Sequence, residues 1–218
     1  MKRTESTLES SPLRLVLLFV AMAMSVCQPT NAQTIATDPT PDAERGPLSV
    51  GMYAGALYQG VFVSLFFRPW AIDLSPSYLV AANFDYRFYK SDSLPIQFEA
   101  EVDIAKRFNG ANQFDFDLAA FVRWTSFPWN KTLYTNVRLG VLGLSYVNGI
   151  SAWERRSSDN ETGSRLLLFV VPEVTFASSE YSRGEAFIRV HHRSGAYGLL
   201  NGVYGGSNYL CIGYRIFR

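Results

Sequence analysis

From Ile96 to Ile104 the chain alternates strictly. Ile96, Phe98, Ala100, Val102 and Ile104 occupy one parity, and Gln97, Glu99, Glu101 and Asp103 the other. A period of two is the period of a β-strand, and carboxylates opposite large apolar groups require water or ions on one face and hydrocarbon on the other. The pattern recurs and predicts eight strands, at 48–59, 79–90, 95–108, 114–126, 133–147, 164–177, 185–195 and 208–217. Each approaches the ten or so residues that a tilted strand needs to cross a bilayer.

Connections alternate in length. The segments Lys90–Leu94, Phe127–Lys131 and Ser178–Gly184 are short, whereas 60–78, 148–163 and 196–207 are long, with 109–113 the exception. Short turns on the periplasmic side and longer loops outside, with an even number of antiparallel strands, define an all-β, eight-stranded antiparallel transmembrane β-barrel in a bacterial outer membrane. Side chains of even number, from Val80 through Ile216, are expected to face lipid. The interior gathers Asp85, Glu99, Glu101, Asp103, Asp115, Asp117 and Glu173 against Arg87, Arg123, Arg138, Arg189, Arg193 and Arg215. Charges cut off from water need partners, so these groups should pair. An eight-stranded barrel is just wide enough to be filled by side chains, which argues against an open pore.

Two segments strain this scheme. Val61–Phe67 is apolar yet lies in the first outer loop, where it could extend strand 1, add a strand or lie in the outer leaflet. Pro172 falls inside strand 6 and lacks an N–H for the ladder, and a bulge there would relieve the conflict.

Composition adds the compartment. Lys2, Arg3 and Arg14 precede the apolar run Leu15–Val26, and Thr30-Asn31-Ala32 offers a cleavage site, so residues 1–32 read as a secretory signal peptide. Residues 33–47, with three prolines, read as a disordered periplasmic lead-in to a barrel at 48–218. Cleavage leaves Cys211 as the lone cysteine and excludes an internal disulfide. The net charge of +1 gives no general pull toward nucleic acid, and the 15% aromatic content suits belts at two membrane interfaces.

Strand 7 carries the candidate chemistry. Its alternation places His192 and Ser194 on the face of Ile188 and Val190, toward lipid near the outer end. Residues two apart on a strand are about 6.6 Å apart and share a face. Histidine beside serine is the minimal activated nucleophile, the imidazole taking the hydroxyl proton as serine attacks a carbonyl. The carbonyl within reach would be the ester of an outer-leaflet acyl chain. Asn208, outward at the outer end of strand 8, could orient the histidine, with Asp73, Glu154, Asp159 or Glu161 of the outer loops as less specific alternatives. The N–H of Gly195, or of the Gly205-Gly206 stretch, could hold an oxyanion. His191, of opposite parity, belongs to the interior network. The pairs Glu99/Glu101 and Asp115/Asp117 are read as partners for arginine rather than as metal ligands, and no cofactor is implied.

This His-x-Ser at the outer end of the penultimate strand resembles the lipid A 3-O-deacylase family, small outer-membrane barrels that hydrolyse an ester-linked acyl chain of lipid A with a membrane-facing His-Ser-Glu triad. The resemblance covers the eight-strand layout and, at motif level, only the last thirty or so residues. It implies that His192 is the general base, Ser194 the nucleophile and outer-leaflet lipopolysaccharide the partner. The family usually places asparagine after the serine, where this chain has Gly195. The family's acid lies about a dozen residues further on, and this chain has no Asp or Glu after Ser194. The ending Tyr214-Arg-Ile-Phe-Arg218 resembles the aromatic C-terminal signal read by the barrel-assembly machinery, with one trailing Arg218 and an inward Phe217. The alternative is a non-catalytic small outer-membrane barrel with a structural or binding role, whose contacts would run through Trp153, Arg155 and Arg156 of the third outer loop.

Overall fold

A computed structural model describes residues 45–110, 112–156 and 162–218. The signal and most of the lead-in, with Asp159 and Glu161, therefore lie outside the described residues. Eight antiparallel strands close into a barrel, each paired with its sequence neighbours and β1 with β8. They are β1 (Leu48–Tyr58), β2 (Leu74–Lys90), β3 (Ile96–Phe108), β4 (Phe114–Trp124), β5 (Tyr134–Val147), β6 (Leu166–Ala177), β7 (Gly184–Ser194) and β8 (Gly206–Phe217). Two short α-helices, α1 (Ser64–Phe67) and α2 (Ala152–Arg156), sit in the first and third outer loops. No helix among the described residues is long and apolar enough to cross a membrane, so any crossing is made by strands.

The expected strands are all present, and the largest boundary change is at β2. It begins at Leu74 because β2 bulges at Pro76–Ser77, opposite Ala56–Leu57, and pairing resumes with Leu57↔Ser75 and Tyr58↔Leu74. Alternation holds in side-chain exposure. Val102, Ile104, Phe116 and Leu118 are exposed outward, while Glu101, Asp103, Asp115 and Asp117 are buried inside. In water such an apolar wall would be an aggregation surface, whereas hydrocarbon matches it.

The even-outward rule fails in the first half of β5. There Asn136, Arg138 and Gly140 point in and Val137 and Leu139 point out. A one-residue bulge at Val141–Leu142 reverses the parity, with Leu142 at φ +56° and 89% exposed. The bulge lets Arg138 reach the interior from an even position. Pro172 needs no bulge of its own. The β6–β7 ladder runs Val170↔His192 and resumes at Glu173↔Arg189 in unchanged register, so the missing N–H costs rungs but not alignment.

The interior is a connected ionic core. Arg138 reaches Asp85 at 2.5 Å, Glu99 at 2.7 Å and Glu173 at 2.8 Å. Arg189 pairs with Glu101 at 2.8 Å and with Glu173, and Arg215 meets Glu173 at 2.5 Å. The guanidiniums of Arg189 and Arg215 also lie over the Phe187 ring, which combines cation–π attraction with packing. Strict alternation also turns Arg107 and Glu185 inward, and both are fully buried, although their charges were not among the expected interior set. Arg87, by contrast, stays at the short-turn mouth, where its Nη2 donates to the Arg45 carbonyl (2.8 Å).

Both mouths are stoppered. Arg45, in the described end of the lead-in, pairs with Glu185 at 2.7 Å and stacks over Phe217, so this part of the lead-in is tied down rather than loose. At the long-loop end, α2 lowers Glu154 into the barrel. Its carboxylate accepts from Arg107 (3.1 Å), Arg193 (2.5 Å) and Ser207 (2.8 Å). Burial alone would raise the Glu154 carboxyl, but the Arg107 and Arg193 guanidiniums hold it below the ordinary carboxylate range.

Candidate active site

The candidate site lies on the outer surface where β7 and β8 end beside the first long loop. Register places His192 between Val170 and Asn208, and Ser194 between Leu168 and Gly206. Both side chains share the lipid-facing wall and are half-buried. What covers His192 is the apolar segment 61–67. It neither extends β1 nor adds a strand. It folds down as α1 over the wall, where Leu65 packs with Tyr58 and Val190, and Phe62 and Leu210 border them. The Phe62 ring stacks on the His192 ring at 4.2 Å and 19°. Tyr58 Oη and Ser64 Oγ, 2.7 Å apart, hold the loop against β1.

Asn208 lies within hydrogen-bond reach of the His192 ring. Asn208 Nδ2 donates to the Gly60 carbonyl (2.9 Å), which fixes the amide so that Oδ1 faces His192 Nδ1 at 2.5 Å. Because Oδ1 can only accept, Nδ1 carries the proton and Nε2 keeps its lone pair. That is the tautomer required of a general base. A Cβ at Gly60 would lie 2.1 Å from Tyr58 Oη and would push that ring aside. Asp73 and Glu154 do not compete for this role. Asp73 makes no hydrogen bond to His192 among the described residues, and Glu154 is inside the barrel.

Ser194 is less committed to His192 than the motif implies. Its Oγ accepts the Ala196 N–H at 3.1 Å, and no His192–Ser194 hydrogen bond forms among the described residues. Beyond it the chain turns through two consecutive left-handed residues, Ala196 at φ +48° and Tyr197 at φ +56°. Non-glycine residues held there carry strain of the kind that clusters at functional sites. The expected oxyanion role of Gly195 does not fit its geometry. Its N–H donates to the Gly205 carbonyl at 3.1 Å and is spent on closing the loop. Gly195 is instead required for close approach, since a Cβ would lie 1.9 Å from the Val203 carbonyl oxygen. The donor beside Ser194 is Ala196 N–H.

Phe62 and Gly60 were not singled out by the sequence. An aromatic residue in an unexplained apolar loop was the available signal for Phe62, but its partner is more than a hundred residues away. His191 faces the interior as expected. It is fully buried, with Nδ1 3.0 Å from Tyr53 Oη and Nε2 3.5 Å from Asp115. Glu99 and Glu101 pair with arginines, and Asp115 with Arg107 (2.8 Å). Asp117 departs from the expectation. Its cross-strand neighbour is another acid, Asp103, and it forms no ion pair with an arginine among the described residues, His191 Nε2 lying 3.7 Å away.

The closed barrel, apolar outside and ionic within, defines the class as a bacterial outer-membrane β-barrel. Among solved structures, the chain is similar to the outer membrane enzyme PagL, with 14% identity over 77% of this chain and 98% of that one and a TM-score of 0.56. A de novo designed transmembrane β-barrel matches at 12% identity and TM-score 0.45, over 81% of this chain and 100% of that one. Neisserial surface protein A matches at 12% identity and TM-score 0.41, over 80% and 99%. No family model and no curated protein matches the chain. The likeness to PagL is one of fold, over most of this chain.

Proposed function

We propose that this chain is an outer-membrane esterase that removes an ester-linked acyl chain from lipid A. The observation that carries the reading is the His192–Asn208 hydrogen bond of 2.5 Å, on the lipid-facing wall two residues from Ser194. A polar pair is expensive against hydrocarbon, and here it presents a basic Nε2 to the layer that holds the substrate.

A rotation of the Ser194 side chain from Ala196 N–H toward His192 Nε2 completes the couple. Ser194 Oγ attacks the ester carbonyl, and its proton passes to His192 Nε2. Collapse of the tetrahedral adduct breaks the bond to the lipid A oxygen, which takes that proton and leaves as a hydroxyl. Water activated by the same histidine then cleaves the acyl-serine and releases the fatty acid. That rotation frees Ala196 N–H, which is then available to donate to the developing oxyanion. Asn208 keeps the imidazole in the productive tautomer, in place of the family's acid. Phe62 and α1 border the acyl chain. The C-terminal Tyr214–Phe217 segment is the part offered to the assembly machinery.

Mass spectrometry of lipid A from an outer-membrane host expressing the chain tests the reading. Loss of one ester-linked acyl chain is expected, with no loss for Ser194→Ala or His192→Asn. Unaltered lipid A in a host carrying the folded wild-type barrel would leave the non-catalytic alternative standing.

A further inference from the structure

The ionic core does not balance. Among the described residues nine buried carboxylates face six buried guanidiniums and Arg45 at the short-turn mouth. The shortfall is concentrated at one level, where Asp103 of β3 faces Asp117 of β4 directly across the ladder. Among the described residues none of the four oxygens of this pair has a hydrogen-bond partner. Asp103 has Arg189 at 3.6 Å. His191 Nε2, also without a hydrogen bond, points at the same place, 3.5 Å from Asp115 Oδ2 and 3.7 Å from Asp117 Oδ2. Opposed like charges that are buried and unpartnered are among the most costly arrangements in a protein interior.

We infer that a divalent first-row cation, zinc in the first instance, is held between Asp115 and Asp117 of β4 and His191 of β7. One ligand atom from each of the three lies within 4.8 Å of the others. Tetrahedral zinc with ligands at about 2.0–2.1 Å places neighbouring ligand atoms about 3.4 Å apart, close to the two separations from His191. Two carboxylates and an imidazole suit zinc and its neighbours better than calcium or magnesium, which favour all-oxygen shells. The second shell is in place. Tyr53 Oη meets His191 Nδ1 at 3.0 Å, leaving Nε2 for the metal, and Arg107 Nε donates to Asp115 at 2.8 Å. The ion cancels two of the uncompensated charges and staples β4 to β7 across the barrel. It is remote in role from His192, which faces the other way.

The test uses the full-length barrel, folded in detergent with zinc and then desalted. Elemental analysis is expected to find one zinc per barrel, and the urea midpoint is expected to rise with free zinc. Retention falls at least tenfold in Asp117→Asn and His191→Gln, whereas Asp103→Asn retains the ion. If those variants do not fold, the wild-type barrel decides alone, since cobalt in place of zinc gives the visible absorption of a tetrahedral site. A folded wild-type barrel without stoichiometric metal overturns the inference. So does an infrared band of a protonated buried carboxylic acid that zinc leaves unchanged.

Discussion

His191 and His192 are consecutive, yet they belong to two different solvents. His191 is fully buried among carboxylates and tyrosine inside the barrel, and His192 lies on the outer wall between Asn208 and the Phe62 ring. One step along a strand reverses the face, so a single residue separates an ionic core from a lipid surface. The comparison separates two kinds of burden. The interior carries stability through charges that cannot be removed singly. The wall carries the proposed chemistry, and the barrel does not need its polar groups in order to close.

The largest expected effect is on the wall. Ser194→Ala lowers acyl release by roughly 10⁶-fold, as removal of a serine nucleophile does elsewhere, while the urea midpoint stays at the wild-type value. Stability tracking the loss of activity would show that the wall is not separable from the core. Inside, Arg138→Ala takes one guanidinium from four buried carboxylates and costs about 3–5 kcal/mol, read as a lowered urea midpoint or loss of the heat-modifiable band on gels. Acyl release per folded barrel should be preserved in that variant.

Asn208→Ala sharpens the contrast, because it leaves both proposed reacting groups in place. Freed of its anchor, His192 loses its tautomer, and the rate falls between about 10²- and 10⁴-fold. Phe62→Ala, which removes a stacked ring, should weaken activity by a factor of several, or about 1 kcal/mol.

The smallest effect is at the long-loop mouth and depends on pH. The Glu154 carboxyl is held below its ordinary value, so its contribution is present above that value and is lost as pH falls through the folded one. Trp153, packed against the core beside it, should report release of α2 as a fluorescence change that sets in only below the ordinary carboxylate range. Glu154→Gln abolishes that change.

Most of the barrel was legible from alternation alone, since a strand between two unlike media must repeat every two residues. Tyr86, Asp103 and Phe116 took their faces from parity alone. So did the location of His192 and Ser194 and the opposite placement of His191. Parity could not register the bulge at Leu142, because an inserted residue leaves no mark in a pattern of apolar neighbours. It could not find the Gly60 carbonyl that fixes Asn208, nor the descent of Phe62 onto His192, because both join segments distant in sequence through loop geometry. The same holds for Glu154, which as a loop acid looked free to orient a catalytic histidine and is drawn instead to Arg107 and Arg193. Local order in this chain follows from periodicity, whereas pairing among its charges is decided only when closure brings eight strands around one narrow axis.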